Sequence, residues 1–235
     1  MLCLTNSCLN LYAEGIQQAK EALEIHKRIN YTVEHAQCLK NYANLLRNAN
    51  QLDAAEEVTL QSISLLSGET SDPFTVCESY RTLGDICSSK GETEKAISHY
   101  EAALGIASSF NWPMALFWNH FALAELFSII GRFEDAHTHI TYAKSYVVND
   151  PYCLGRAMQI QAHTFYLQGR LEEAKFEALD ALDMYNKLGA SYDAGFCQDL
   201  LWQIEGTIDG KLLETMPFLM LIHYPFLAQG AEGSK

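Results

Sequence analysis

Positive charge is what this sequence has least of for its size: 16 Lys and Arg stand against 29 Asp and Glu in 235 residues, a net charge of −13. Nucleic acid and anionic membrane surfaces both require a clustered positive footprint, so neither is expected as a partner. No stretch alternates apolar and polar residues over the length of a strand, which argues against a sheet. Seven cysteines are present, an odd number without any CxxC spacing. Such cysteines act as small buried hydrophobes in a reducing compartment, so a cytoplasmic protein is expected. No basic region precedes the mildly apolar start Met1 to Leu11, which makes it a poor secretory leader. Proline is scarce too, five in all, and Pro73, Pro113 and Pro151 recur at steps near forty residues.

That step is also the period of what the chain does have. Its clearest copy runs Tyr80-x-x-Leu83-Gly84-x-x-Cys87, then Gly91, Ala96, Tyr100, Ala103 and Leu104. Gly15, Ala55, Ala96, Ala136 and Ala174 mark the same place in successive copies, at steps of 40, 41, 40 and 38 residues. Five positions earlier stand Asn50, Gly91, Gly131 and Gly169, residues that stop a helix in the left-handed region. Twelve positions earlier stand Ala43, Gly84, Ala124 and Ala162, small enough to let two antiparallel helices nest. Larger residues such as Leu39, Tyr42, Leu46, Phe127, Phe133, Ile140, Phe165 and Leu171 fill the remaining space. Each of Pro73, Pro113 and Pro151 fits the first position of a helix, and Asp72 and Asp150 are placed to cap two of them. The expected fold is all-α, an α-α superhelix of antiparallel helix pairs.

The pattern divides the chain into four parts. Residues 1–28 carry only a second helix, Tyr12 to Ile25, and read as a truncated first repeat. Residues 31–189 hold four helix pairs, and 190–209 a capping helix with Cys197, Leu200, Leu201 and Ile204 turned inward. Residues 210–235 form an apolar tail; its core, Leu212 to Ala228, is broken by Pro217 and Pro225 and is too short to span a bilayer, which takes about 20 apolar residues. That segment fits packing on the last helix or in the groove of the array, or a partner-binding role.

Chemistry is thin. The run from Glu205 to Leu212 lacks the first glycine and the hydroxyl of a phosphate loop. His137-x-His139 has a metal-like spacing, but residues two apart on a helix diverge and no third ligand is evident. The pairs Glu172/Glu173 and Asp180/Asp183 read as ordinary solvated surface. The sequon at Asn30 carries meaning only on a secreted chain. No catalytic residue, metal or cofactor is expected. The outward face of the first helices is the place for function: Lys40, Asn44, Arg47 and Asn48, then Arg81, then Trp118 and Phe121, then Arg156, His163 and Tyr166. The expected groove is basic and amide-rich at one end and aromatic in the middle, and Arg and aromatic side chains dominate binding energy at interfaces.

The motif set from Tyr12 to Glu205 is similar to the tetratricopeptide (TPR) superfamily, with a step longer than its usual length of about 34 residues. The resemblance implies a scaffold that binds a protein or peptide in its concave groove; oligomeric state is left open. Chaperone-binding members clamp a peptide carboxylate with a Lys/Asn pair, an Asn, and a Lys/Arg pair in three successive units. Lys40 and Asn44 match the first pair, but Thr82, Trp118 and Ala122 replace the rest, so no such clamp is expected. More narrowly, Ala122 to Lys144, Leu154 to Met158 and Glu172 to Leu179 resemble the carboxyl-terminal repeat regions of basidiomycete fungal NACHT/NB-ARC-type (STAND) proteins. That likeness implies an alternative role, a structural or autoinhibitory sensor segment separated from its nucleotide-binding half.

Overall fold

A computed structural model describes residues 2–29, 31–66 and 71–208, which form ten α-helices and, among the described residues, no strand. The chain divides into two compact units, residues 1–111 and 112–235. The first holds α1 (Leu2–Ile29), α2 (Thr32–Asn48), α3 (Leu52–Leu65), α4 (Pro73–Ser89) and α5 (Thr93–Ser109). The second holds α6 (Pro113–Ile129), α7 (Phe133–Tyr146), α8 (Pro151–Leu167), α9 (Leu171–Leu188) and α10 (Ser191–Ile208). Asn30, the run from Asp209 to Leu212 and the whole apolar segment Leu212 to Ala228 lie outside the described residues. No described helix is long and apolar enough to cross a membrane.

Turn chemistry sets the pairs. Gly91, Gly131 and Gly169 have φ of 76°, 77° and 75°, and Asn50 takes the same part at 59°. This left-handed residue turns the chain back so that the next amide bonds five residues upstream, as Glu92 N–H does to the Cys87 carbonyl at 2.8 Å. Orphan carbonyls at the helix end are satisfied in the process. At the helix starts, the Asp72 side chain accepts from the amides of Phe74 and Thr75, and Asp150 from that of Cys153. Both sit just before the proline expected at the first helical position.

Packing within each unit follows the small residues. Ala55, Ala96, Ala136 and Ala174 are fully buried, as are Ala43, Ala124 and Ala162 on the facing first helices. Gly84 is the extreme case. A Cβ there would lie 2.5 Å from Cε1 of Tyr100, so α5 lies against the bare backbone of α4. Gly155 repeats the arrangement on α8 more loosely, 3.1 Å from Cε1 of Tyr185 on α9. Cys87 and Cys197 are buried in the core. Desolvation pushes the Cys197 thiol up to about 12, so it remains an inert thiol.

Candidate functional site

First helices also touch one another, α2 with α4 in the first unit, and α6 with α8 and α8 with α10 in the second. The side chains at these contacts are the ones expected to face a ligand.

In the first unit they form an ion cluster. Arg47 Nη1 of α2 lies 2.6 Å from Asp85 Oδ2 of α4. The same oxygen takes Arg81 Nη1 at 3.3 Å, while the Tyr100 phenol donates to Asp85 Oδ1 at 2.8 Å. Arg81 also meets Glu78 at 3.1 Å. Burial works against the Arg81 charge, but Asp85 and then Glu78 more than offset it and raise its pKa above the ordinary value. The Asn44 Oδ1 lies 3.4 Å from the Thr82 hydroxyl. Two arginines thus face two carboxylates, and the expected basic end is close to neutral at its centre. The physical reason is that a half-buried guanidinium is held only where an acid meets it. Lys40 and Asn44 remain half-buried one turn apart on α2, and Asn48 follows on the same helix.

In the second unit the expected open aromatic face is partly core. Phe121 is 3% exposed and belongs to a cluster with Phe117, Ala124, Ile140 and Ile160, against which Trp118 packs half-buried. Arg156 is 7% exposed, His163 2% and Gln159 2%. This corrects the placement of Phe121, Arg156 and His163 on a solvated face: all three are buried, and neighbouring first helices meet Phe121 and Arg156. The Arg156 guanidinium lies 5.0 Å above the Phe121 ring and 3.6 Å from Asp193 of α10. Gln159 accepts a hydrogen bond from the Tyr185 phenol at 3.1 Å. Burial pushes His163 down to about 4, so it is neutral at physiological pH. Tyr166 stays half-buried, its ring 6.4 Å from that of His163.

Two features went unread in the sequence. His139 of α7 meets His120 of α6, not His137, with the two Nδ1 atoms 2.9 Å apart. Burial, and then His139, pushes His120 down to about 4. His137 instead lies on the Phe165 ring at 5.0 Å. Among the described residues no group of three or more His, Cys, Asp or Glu could hold a metal. The second feature is a clasp repeated after two of the turns, those at Gly131 and Gly169. Arg132 lies 4.5 Å over Phe127 and pairs with Asp135; Arg170 lies 4.3 Å over Phe165 and pairs with Glu173. The spacing Phe-x4-Arg-x2-acid was the signal that could have found it.

Paired helices, left-handed turns and abutting first helices define an all-α superhelix of repeats. Residues 78–110, the bulk of the α4–α5 pair, match the tetratricopeptide repeat family. A search of curated proteins finds no match. Among solved structures the chain is similar to BtubC (BKLC) from P. vanneervenii, with a TM-score of 0.64 and 16% identity over 87% of this chain and 95% of that one. It is similar to a Rap protein in its complex with competence and sporulation factor, with a TM-score of 0.61, 16% identity, and 87% and 62% of the two chains covered. Aspartyl phosphate phosphatase F from Bacillus subtilis gives a TM-score of 0.60 and 17% identity over 91% and 61%. The chain therefore spans less than two thirds of the last two proteins. At such identities the likeness speaks for the fold.

Proposed function

We propose that this chain is a protein-interaction module of the tetratricopeptide type, which holds a peptide or a segment of a partner protein against its first helices and works in the cytoplasm without a cofactor. The observation that carries the reading is the tying of successive first helices by side chains, Arg47 to Asp85 and Arg156 to Asp193. A face fixed in this way presents its remaining polar and aromatic groups at little further cost in order, and rigid presentation favours binding. That a structural neighbour is a Rap protein solved with a bound factor supports the same use of the fold. On this reading Lys40, Asn44 and Asn48 offer contacts on the first unit and Trp118 and Tyr166 on the second, while Arg47 and Arg81 in the first and Phe121, Arg156 and His163 in the second shape and stiffen the face behind them.

The test is a phage-displayed library of linear peptides selected on the full chain. Selected peptides should lose capture on Lys40→Glu, Asn44→Ala or Tyr166→Ala variants whose helicity and melting temperature are retained. Peptides indifferent to all three, or no selection above background, would remove the proposal. Trp118→Ala is a poorer probe because Trp118 packs on the core.

A second reading rests on the stretches Ala122 to Lys144, Leu154 to Met158 and Glu172 to Leu179. It makes the chain a structural or autoinhibitory sensor segment of a fungal STAND-type NTPase. A nucleotide-binding domain encoded directly upstream would support it, and its absence there would remove it.

A further inference from the structure

Away from the first-helix faces, α8 and α9 enclose an open cleft of about 350 Å³, lined by Gln161, Phe165, Glu172, Glu173, Phe176 and Glu177. Its lining is aromatic and acidic, and the protein's own cations already engage several of these residues. Arg170 covers the Phe165 ring and pairs with Glu173. Lys144 reaches in from α7 to bond Gln161 and approach Glu177 at 3.6 Å. One copy of the same combination is left open. Phe176 is 64% exposed, and Glu172, one turn before it on α9, is exposed and pairs with no cation among the described residues. Residues four apart share a helix face, so ring and carboxylate can meet one guest together.

We propose that this cleft receives a cationic side chain, arginine or lysine, from a basic segment of a partner protein, stacked on Phe176 and paired with Glu172. A guanidinium over an aromatic face gains from the ring quadrupole, and a carboxylate beside it adds direction. Arg170 over Phe165 and Arg132 over Phe127 show the same pairing inside the unit at 4.3 and 4.5 Å. The net charge of −13 favours approach of a basic partner from a distance. This site is independent of the first-helix face and stands or falls without it.

The experiment uses the full chain and a capped tetra-arginine peptide, with the citrulline peptide of equal length as the uncharged control, by calorimetry or chemical-shift titration at low and physiological salt. Tetra-arginine should bind and citrulline should not. Phe176→Ser and Glu172→Lys should each weaken binding about threefold to tenfold at unchanged melting temperature, since both side chains are exposed. Glu57→Lys, on exposed α3 surface, should leave it nearly unchanged. Equal loss on Glu57→Lys would mean diffuse attraction to an acidic protein and would overturn the site. So would affinity indifferent to Phe176 and Glu172, or no tetra-arginine binding at either salt.

Discussion

The ring of Tyr100 occupies the space that a Cβ on Gly84 would need, with Cε1 and Cδ1 2.5 and 2.6 Å from that point. The same tyrosine donates its phenol proton to Asp85, the next residue along α4. One side chain of α5 therefore sets both the distance and the rotation of the two helices. It stacks on a position where nothing protrudes and reaches an acceptor one residue on.

Gly84→Ala should accordingly destabilise the first unit although alanine is the better helix former. Propensity favours alanine by about 1 kcal/mol, whereas forcing a methyl into a closed contact costs about 1–3 kcal/mol and a contact this short lies at the upper end. Gly155→Ala, whose Cβ would sit 3.1 Å from Tyr185, should cost less. Urea unfolding measures both. Tyr100→Leu in the Gly84→Ala background should recover part of the loss, and strict additivity of the two changes would deny the contact.

Asp85 is the other half of that arrangement. It accepts from Arg47, Arg81 and Tyr100 in a nearly closed environment. Asp85→Ala takes an acceptor from two guanidinium groups and a phenol, although Arg81 keeps Glu78, and removing one side of a buried ion pair costs about 3–5 kcal/mol. Arg47→Met should cost less, because Asp85 keeps Arg81 and Tyr100. A double-mutant cycle on Arg47 and Asp85, read by chemical denaturation, should show a coupling above about 1 kcal/mol. Equal costs for the two single variants would contradict this hierarchy.

What could be read from the sequence and what could not divide along one physical line. Gly84, the buried alanines and the left-handed Gly91, Gly131 and Gly169 answer to constraints inside one helix pair, so they recur with the period and are visible one copy at a time. Exposure of the first-helix face is set by the next first helix, whose contacts lie about forty residues away. Phe121 and Arg156 had suitable types and positions for an open face, yet Arg156 turns onto Phe121 and toward Asp193. No local pattern announces Asp193 as the partner. His120 and His139 are nineteen residues apart on different helices, and helical spacing on α7 alone drew attention to His137 instead. The Arg132 and Arg170 clasps recur with the period, but Glu92 and Lys95 stand at the corresponding places with reversed charge, so a search for conserved sign misses the shared geometry.

Buried His163 gives the unit a pH response whose sign follows from its environment. Desolvation holds its folded pKa near 4, against 6.5 for an ordinary histidine. Above pH 6.5 both folded and unfolded forms are neutral and His163 has no effect on stability. Between 6.5 and about 4 the unfolded chain takes up a proton that the folded one refuses, so stability falls as pH drops, by about 1.4 kcal/mol per pH unit. Below that range both states are charged and the loss levels off. His120, with a folded value also near 4, acts in the same direction, but its greater exposure makes its share smaller. Urea midpoints of the native chain at pH 7 and pH 5 should therefore differ, and His163→Gln should remove about 2 kcal/mol of that difference. Comparing the two proteins at each pH cancels the carboxylates, which titrate alike in both. An unchanged pH dependence in the His163→Gln variant would mean that the imidazole takes up its proton in the folded state as readily as in water, and that the packing around this position of α8 does not keep water from it.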